Sequence, residues 1–146
     1  MIDNTPIWLD LDCRGELSGF RYTGRFFVKK YLTGKDRTNY NLKANKEAGA
    51  LPPGNQRALI FALARLDCHI EQADAVWWTK DTGSDLAGLN LVDDEPVFQI
   101  LEGISKLQDA DRQANDPEGW AKDKAAADQR AADIKAAAEA QTASPG

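Results

Sequence analysis

The chain has 146 residues, 42% of them hydrophobic and 28% charged, which suffices for one packed core but not for two full domains. The formal net charge of -5 argues against a protein that binds nucleic acid over its whole surface. The longest uninterrupted apolar run, 58–64, is far shorter than the roughly 20 residues of a membrane helix. We therefore expect no membrane partner.

The first residues and the two cysteines bear on the compartment. Residues 1–4 lack the basic stretch and apolar core of a secretion signal. Cys13 and Cys68 are too few for a disulfide framework or a zinc set. We expect them to be reduced thiols of an intracellular protein, the alternative being one disulfide.

The composition changes sharply towards the C-terminus. Residues 5–113 are predicted to form a single α+β domain, and residues 114–146 an Ala-rich, charged, solvated tail. Within the tail, 121–140 contain ten alanines and a single large aliphatic residue, Ile134, which favours a helix without an apolar stripe. We expect a marginal helix or a flexible tail that ends in a flexible segment, 142–146.

Aromatic residues dominate the first third of the chain and predict an antiparallel β-hairpin or small meander. Segments 20–23 and 26–32 are rich in the aromatic residues that favour half-buried strands. Alternation places Phe26 and Val28 on one face. Gly24, which separates the two segments, is interpreted as a turn or a bulge.

Two helices are predicted next. The first begins at a capping box of Thr33 and Asp36 and ends at Ala48, because a glycine follows. The second begins after residues 52–55. Its apolar side chains recur at helical spacing, at Leu59, Leu63, Leu66 and Ile70.

A third predicted helix has the clearest signals. Asp93 or Asp94 is its N-cap, and Glu95 and Pro96 occupy its first turn. Three acids at a helix N-terminus are explained by the helix dipole more simply than by a cation site. Its apolar stripe is Val97, Ile100, Leu101, Ile104 and Leu107. A small N-terminal sheet packed with about three helices makes α+β the predicted fold class.

No residue pattern points to catalysis, a metal or a cofactor, so we expect a protein that is not an enzyme. His69 is the only histidine, and Cys68 beside it on a helix points about 100° away, so the two alone cannot form a dyad. No pair of cysteines or histidines has metal-ligand spacing.

A basic segment is the first candidate binding region. Residues 14–46 hold nine basic residues against two acidic ones, a local net of +7, with aromatic residues between them. Cations for phosphates and rings for bases are what single-strand binding requires, with Arg25, Lys29 and Lys30 as candidates. The alternative, which we favour, is that these cations occupy the solvent face of a half-exposed sheet.

An acidic segment follows later in the chain. Residues 66–111 hold eleven acidic residues against two basic ones, a local net of -9, and Asp93, Asp94 and Glu95 are its densest cluster. If the two segments lie on different faces, the protein complements another copy of itself or a charged partner. If they lie together, they neutralise one another within the fold.

Two adjacent tryptophans form the last candidate binding feature. We expect one of Trp77 and Trp78 to lie in the core, because successive side chains diverge. The other is either an exposed interface anchor or is covered by a nearby leucine, from Leu86, Leu89 and Leu91.

The order of these segments is similar to that of small tailed-bacteriophage proteins described as tail assembly chaperones or virion-assembly proteins. The strand segment 24–33 leads into a polar helix, an apolar helix ends in Trp77 and Trp78, and segment 93–97 opens another helix. The resemblance covers about residues 20–108, rests on pattern, and contains no catalytic signature.

This resemblance implies a non-enzymatic role in the host cytoplasm during phage assembly. Such chaperones bind the tape measure protein, keep its long hydrophobic helix soluble, and leave as tail-tube subunits polymerise. The partners on this hypothesis are the tape measure and tail tube proteins. The alternatives are a structural virion component of the head, connector or tail, and a single-stranded nucleic-acid-binding protein.

Overall fold

The computed structural model describes residues 2–143 and has an α+β fold, as predicted. Within this range a three-stranded antiparallel sheet, in the order β1-β2-β3, accompanies four helices. The elements are β1 (Ile7–Arg14), β2 (Arg21–Val28), α1 (Gly34–Ala48), α2 (Asn55–His69), β3 (Ile70–Asp74), α3 (Glu95–Asn115) and α4 (Pro117–Ala143). The chain forms two compact units, one through Leu107 and one from Gln108 onwards.

Strands β1 and β2 form an antiparallel hairpin. The predicted segments on either side of Gly24 belong to one strand, β2, so Gly24 is neither a turn nor a bulge. Gly24 lies inside β2 and is in register with Leu11 of β1. A Cβ atom at Gly24 would lie 2.6 Å from the Cβ of Ala75, so the glycine allows the chain that follows β3 to pack against the strand. Phe26 and Val28 share the buried face, as the alternation predicted.

Strand β2 ends at Val28, four residues before the predicted end of the segment. Beyond Val28, the Tyr31 main chain pairs with the side-chain amide of Asn4: Tyr31 N donates to Asn4 Oδ1 at 2.9 Å, and Asn4 Nδ2 donates to the Tyr31 carbonyl at 3.0 Å. A side chain therefore replaces strand pairing there.

Helix α1 has the predicted bounds. The Thr33 hydroxyl accepts from Asp36 N, and the Asp36 carboxylate accepts from Thr33 N, which completes the capping box. Gly49 ends the helix with φ 53°, a conformation that glycine adopts without strain. Buried alanines, Ala44 and Ala48, mark its core face.

Helix α2 begins at Asn55, but the prediction that Ile70 continues its apolar stripe is wrong. Ile70 is extended and is the first residue of β3, which pairs with β2. Pattern analysis missed β3 because its Glu, Gln and Ala residues are weak strand formers. Pairing with a strand more than 40 positions earlier in the chain overrides that weak preference.

Helix α3 supplies the predicted stripe to the core of the first unit. Val97, Ile100 and Ile104 are buried, and Leu101 and Leu107 pack against the core at its margin. They join Phe26 and Val28 of the sheet with Leu63, Leu66 and Leu86.

The second unit consists of the last residues of α3 and helix α4. The Asp116 carboxylate accepts from Gly119 N, and Lys124 lies 5.2 Å from the centre of the half-buried Trp120 ring. From 121 to 142 every side chain is exposed. The helix continues through Thr142 and Ala143, the first two residues of the segment 142–146 for which the sequence predicts a flexible end. The rest of that segment, 144–146, lies outside the described residues.

Candidate functional site

A buried carboxylate, Asp93, organises the candidate site from a position two residues before α3. It accepts hydrogen bonds from Leu17 N at 3.0 Å, Ser18 N at 3.2 Å, the Ser18 hydroxyl and the Tyr22 hydroxyl at 2.8 Å. The Ser18 hydroxyl, followed by Tyr22, lowers the pKa of Asp93 against the opposing effect of burial. Gly15 is required nearby, because a Cβ there would lie 2.1 Å from the Asp93 carboxyl carbon.

The neighbouring acids have different roles. Asp94 is the helix cap, since its carbonyl accepts from Val97 N and Phe98 N, while its carboxylate is exposed. Glu95 Oε1 accepts from Glu16 N at 3.1 Å. Asp93 and Glu95 thus hold the β1–β2 turn, which an interpretation based on the helix dipole alone did not predict.

A chain of aromatic rings runs from this turn across the sheet. Ring centroids are 4.9 Å apart for Phe20 and Tyr22, 5.0 Å for Tyr22 and Trp77, and 5.8 Å for Trp77 and Phe26. Trp77 Nε1 donates to the Thr23 carbonyl at 2.9 Å, which fixes the indole in place. The rings form a rigid aromatic surface rather than a set of isolated contacts.

Both tryptophans are half-buried and pack against the core, so the expectation of one core and one exposed tryptophan is wrong. Trp78 packs edge-on against Phe26 at 5.6 Å and against Trp77 at 6.0 Å. A turn in which Trp78 N donates to the Ala75 carbonyl directs both rings towards the sheet. Successive side chains diverge in a strand or helix, but this turn removes that constraint.

An open groove of about 310 Å³ lies over these rings, and we call it the aromatic groove. Its lining residues include Ser18, Phe20, Tyr22, Trp77, Asn90 and Val92. Phe20 is 52% exposed and Val92 66% exposed. Leu17 and Val76, adjacent in sequence to lining residues, are 81% and 95% exposed. Such grouped apolar exposure is typical of an interaction surface.

Three acids lie close to the lining residues without being part of the lining: Glu16 is two residues before Ser18, Asp94 is two residues after Val92, and Glu95 accepts from Glu16 N. We call these three acids the acidic rim. Among residues 2–143, neither these acids nor the buried Asp93 forms an ion pair. Asp93 is bound only by neutral donors, which stabilise its charge without cancelling it. The groove therefore combines apolar side chains with negative charge.

On the outer face of the hairpin, in contrast to the groove, acids are paired with cations. This face includes Trp8, Asp10, Asp12, Arg21 and Arg25. Arg21 donates to both oxygens of Asp12, at 2.8 and 2.6 Å. Arg25 donates to Asp10 at 3.0 Å and lies 4.8 Å from the centre of the Trp8 ring. Arg21 and Arg25 are thus each matched by an aspartate of β1, whereas Arg14, exposed on the same face, forms no ion pair among residues 2–143.

The other basic candidates are not exposed on one face with Arg25. Lys29 follows the end of β2, pairs with Asp36 at 3.0 Å, and is 22% exposed. The hydrogen bond from Thr33 N is the largest cause that lowers the pKa of Asp36 to about 2, and the pairing with Lys29 is the next largest. Lys30 is half-buried.

The basic and acidic segments meet at two ion pairs between distant parts of the chain. Lys43 of α1 pairs with Asp67 of α2 at 2.7 Å, and Lys46 pairs with Asp85 at 3.5 Å. The sequence left open whether the two segments lie on different faces or together. These ion pairs show that the charges of the two segments partly neutralise one another within the fold.

His69 and Cys68 occupy structural positions. His69 is fully buried, and its Nδ1 donates to the Lys29 carbonyl at 2.8 Å, while Nε2 has no partner among residues 2–143. Burial lowers the pKa of His69 and raises that of Cys68. Cys13 and Cys68 are both free thiols, so the disulfide alternative does not apply.

Residues 2–143 contain no cluster of three histidine, cysteine or acidic side chains suited to a metal ion. Within the same range, no helix has both the length and the apolar character needed to cross a membrane. Comparisons with protein-family models, curated proteins and solved structures found no match.

Proposed function

We propose that the protein acts without catalysis, through protein–protein contacts in the assembly of a tailed bacteriophage, as a tail assembly chaperone that binds the tape measure protein. The observation that supports this function is the aromatic groove with its exposed Phe20 and Val92. The segment order resembles such chaperones in the sequence, and the groove provides a place for the contact.

The groove suits transient binding of an apolar segment. Trp77 and Tyr22 form a preorganised floor, because both are fixed by hydrogen bonds to the fold. Covering the exposed surface of Phe20 and Val92 contributes about 1–3 kcal/mol for each side chain. Together these terms favour reversible binding, as a chaperone that releases its client requires.

Co-expression with the tape measure and tail tube proteins tests the proposal directly. We expect the full chain to co-purify with the tape measure protein, and the double variant Phe20→Ser/Val92→Ser to lose this partner. Leu42→Ser is the matched control, because Leu42 is 66% exposed on α1, away from the groove lining. If the wild-type chain captures neither protein, the proposal is wrong.

Particle composition distinguishes this function from the structural alternative. A chaperone is expected to be scarce in purified particles, whereas a head, connector or tail component is present in a fixed ratio to the other subunits. Quantitative mass spectrometry of particles measures that ratio. A stoichiometric amount would replace the chaperone proposal with the virion component.

Single-stranded nucleic-acid binding remains a second candidate because Arg25 stacks on Trp8 beside Phe27, whose ring lies 5.0 Å away. The pairing of Arg21 and Arg25 with aspartates weakens this candidate, since phosphate binding would have to displace them. We expect no binding of labelled oligonucleotides in fluorescence anisotropy at low salt. Binding that weakens steeply with salt would favour this alternative.

A further inference from the structure

The acids at the aromatic groove are among the acids of the first unit that have no cation partner within residues 2–143, as are Glu71 and Asp81. What distinguishes them is that hydrogen bonds from the β1–β2 turn to Asp93 and Glu95 hold them together. Asp12, Asp36 and Asp67 each pair with an arginine or lysine of the same chain. Among residues 2–143, the acidic rim and Asp93 have no such pair. Carboxylates grouped beside a low-dielectric aromatic surface produce a negative potential that attracts cations.

The apolar and charged features of the groove are adjacent in the chain. Val92, exposed at the groove, precedes the buried Asp93 and the exposed Asp94. Glu16, two residues before Ser18 of the lining, is held against the same segment, because its backbone N–H donates to Glu95. A ligand seated on the apolar lining would therefore meet these carboxylates where the β1–β2 turn contacts the start of α3.

We infer that the aromatic groove binds a cationic amphipathic segment of another protein, with an apolar side chain between Phe20 and Val92 and lysine or arginine at the acidic rim. This inference rests on the proposed function and specifies the chemistry of the partner segment. Apolar anchoring supplies affinity, and opposite charge at the rim supplies selectivity and faster association.

A second copy of this chain is a poorer occupant than a different protein. At least five of the nine cations in residues 14–46 already pair with acids of their own chain: Arg21, Arg25, Lys29, Lys43 and Lys46. Binding a second copy through them would first break those pairs, which offsets the gain. A second copy would have only Arg14, Lys35 and Arg37 of this segment without an ion pair among residues 2–143, whereas a segment of another protein brings its own unpaired cations.

The test uses the full chain, labelled with ¹⁵N, and two designed amphipathic helical peptides that differ only in charge. One peptide contains leucine and lysine, and the other contains leucine and glutamate in place of lysine. We expect only the lysine peptide to bind, with amide shift changes centred on Phe20, Trp77 and Val92. The affinity should fall as salt is added.

Charge variants separate the rim from the net charge of the protein. Asp94→Asn/Glu95→Gln should weaken binding of the lysine peptide about three- to tenfold, since each exposed pair contributes modestly. Glutamine at position 95 retains an oxygen that accepts from Glu16 N. The control, Glu71→Gln/Asp81→Asn, removes the same charge from exposed positions outside the groove lining and should leave affinity unchanged.

Several outcomes would overturn the inference. These are equal binding of the two peptides, no binding of either, equal weakening by both charge variants, and shift changes that map outside the groove. Groove amide shifts that depend on protein concentration without peptide would show that a second copy occupies it.

The proposed function and this inference can fail separately. If the wild-type chain and Asp94→Asn/Glu95→Gln capture the tape measure protein equally well, the chaperone function stands and the cationic segment does not. If the lysine peptide binds at the groove but no phage protein is captured, the inference stands and the chaperone function falls.

Discussion

The two faces of the β1–β2 hairpin differ in whether their carboxylates are paired with cations. On the outer face, Arg21 and Arg25 are matched by aspartates of the adjacent strand. At the edge of the inner face, Asp93 is held by hydroxyl and backbone N–H donors, with no cation among residues 2–143. A carboxylate satisfied by neutral donors keeps its field, whereas one paired with arginine is largely cancelled. Of the two sides, the inner edge is therefore the one on which negative charge is available to a partner.

Of the substitutions that test this difference between the two faces, removal of the Asp93 charge should lower the stability of the fold most. Asp93→Asn leaves hydroxyl and N–H donors facing an amide that accepts more weakly and also donates, so buried donors lose their partners. We expect the Tm of the full chain to fall by about 10 °C or more. Differential scanning calorimetry measures the change.

Asp94→Asn is the matched control, because its exposed carboxylate has no hydrogen-bond partner among residues 2–143. Its Tm should change by no more than about 2 °C. A similar loss in both variants would show that the helix end, rather than the buried carboxylate, sets the stability there.

Acid should destabilise the fold in two separate steps. The pKa of His69 is lowered by burial, so the unfolded chain takes up a proton as pH falls below about 6.5 while the folded chain does not. The pKa values of Asp36 and Asp93 are also lowered, that of Asp36 to about 2. Their stabilisation is present above about pH 4 and is lost as pH falls towards 2.

Urea unfolding from pH 8 to pH 3 resolves the two steps. Replacement of His69 by the non-titrating Gln should remove the loss of stability near pH 6 and leave the loss of stability below about pH 4. Asp36→Asn should reduce the loss of stability below about pH 4. A free energy of unfolding that stays flat from pH 7 to pH 5 would contradict the buried, neutral His69.

Loss of an outer-face arginine should cost much less than loss of Asp93. Arg25 is more than half exposed, and exposed ion pairs contribute about 0–1 kcal/mol. Its contact with the Trp8 ring contributes about 0.5 kcal/mol more. We expect Arg25→Ala to lower the free energy of unfolding by about 1 kcal/mol or less, measured in urea. A larger loss would show that the outer face supports the fold as strongly as the inner edge.

Truncation after Asn115 should have the smallest effect on thermal stability. Side chains 121–142 are exposed, so removal of α4 takes away little buried apolar surface beyond part of Trp120. We expect Tm to change by less than about 2 °C. A large loss of stability would place α4 in the core and contradict the predicted domain boundary. Partner binding measured on the truncated chain would show separately whether the tail contributes to it.

The elements that sequence analysis predicted accurately depend on interactions between residues close in the chain. The capping box spans Thr33 to Asp36, and the glycine end of α1 follows one residue after Ala48. The stripe of α3 recurs every three or four residues. In each case the residues that specify the structure lie within about one turn of it, so a linear pattern contains the information.

The missed features depend on contacts between distant residues. Tyr22 and Asp93 are 71 positions apart, and Lys43 and Asp67 are 24 positions apart. The local pattern at Gly24 predicts a turn or a bulge, because the chain that packs against this glycine, at Ala75, is about 50 positions away. A cluster of acids before α3 was the one sequence signal for Asp93, and it did not reveal which of them is buried.

The sequence by itself determined the α+β class, the hairpin, the three core helices and the helical preference of the Ala-rich segment, because propensity, capping and periodicity act locally. Only the tertiary structure decided that β3 exists and that both tryptophans face the sheet. It also decided that Arg21 and Arg25 are paired while the acids of the groove are not. Charge pairing and burial depend on which distant side chains meet. That is set when the sheet and α3 close around Asp93, and no local pattern contains it.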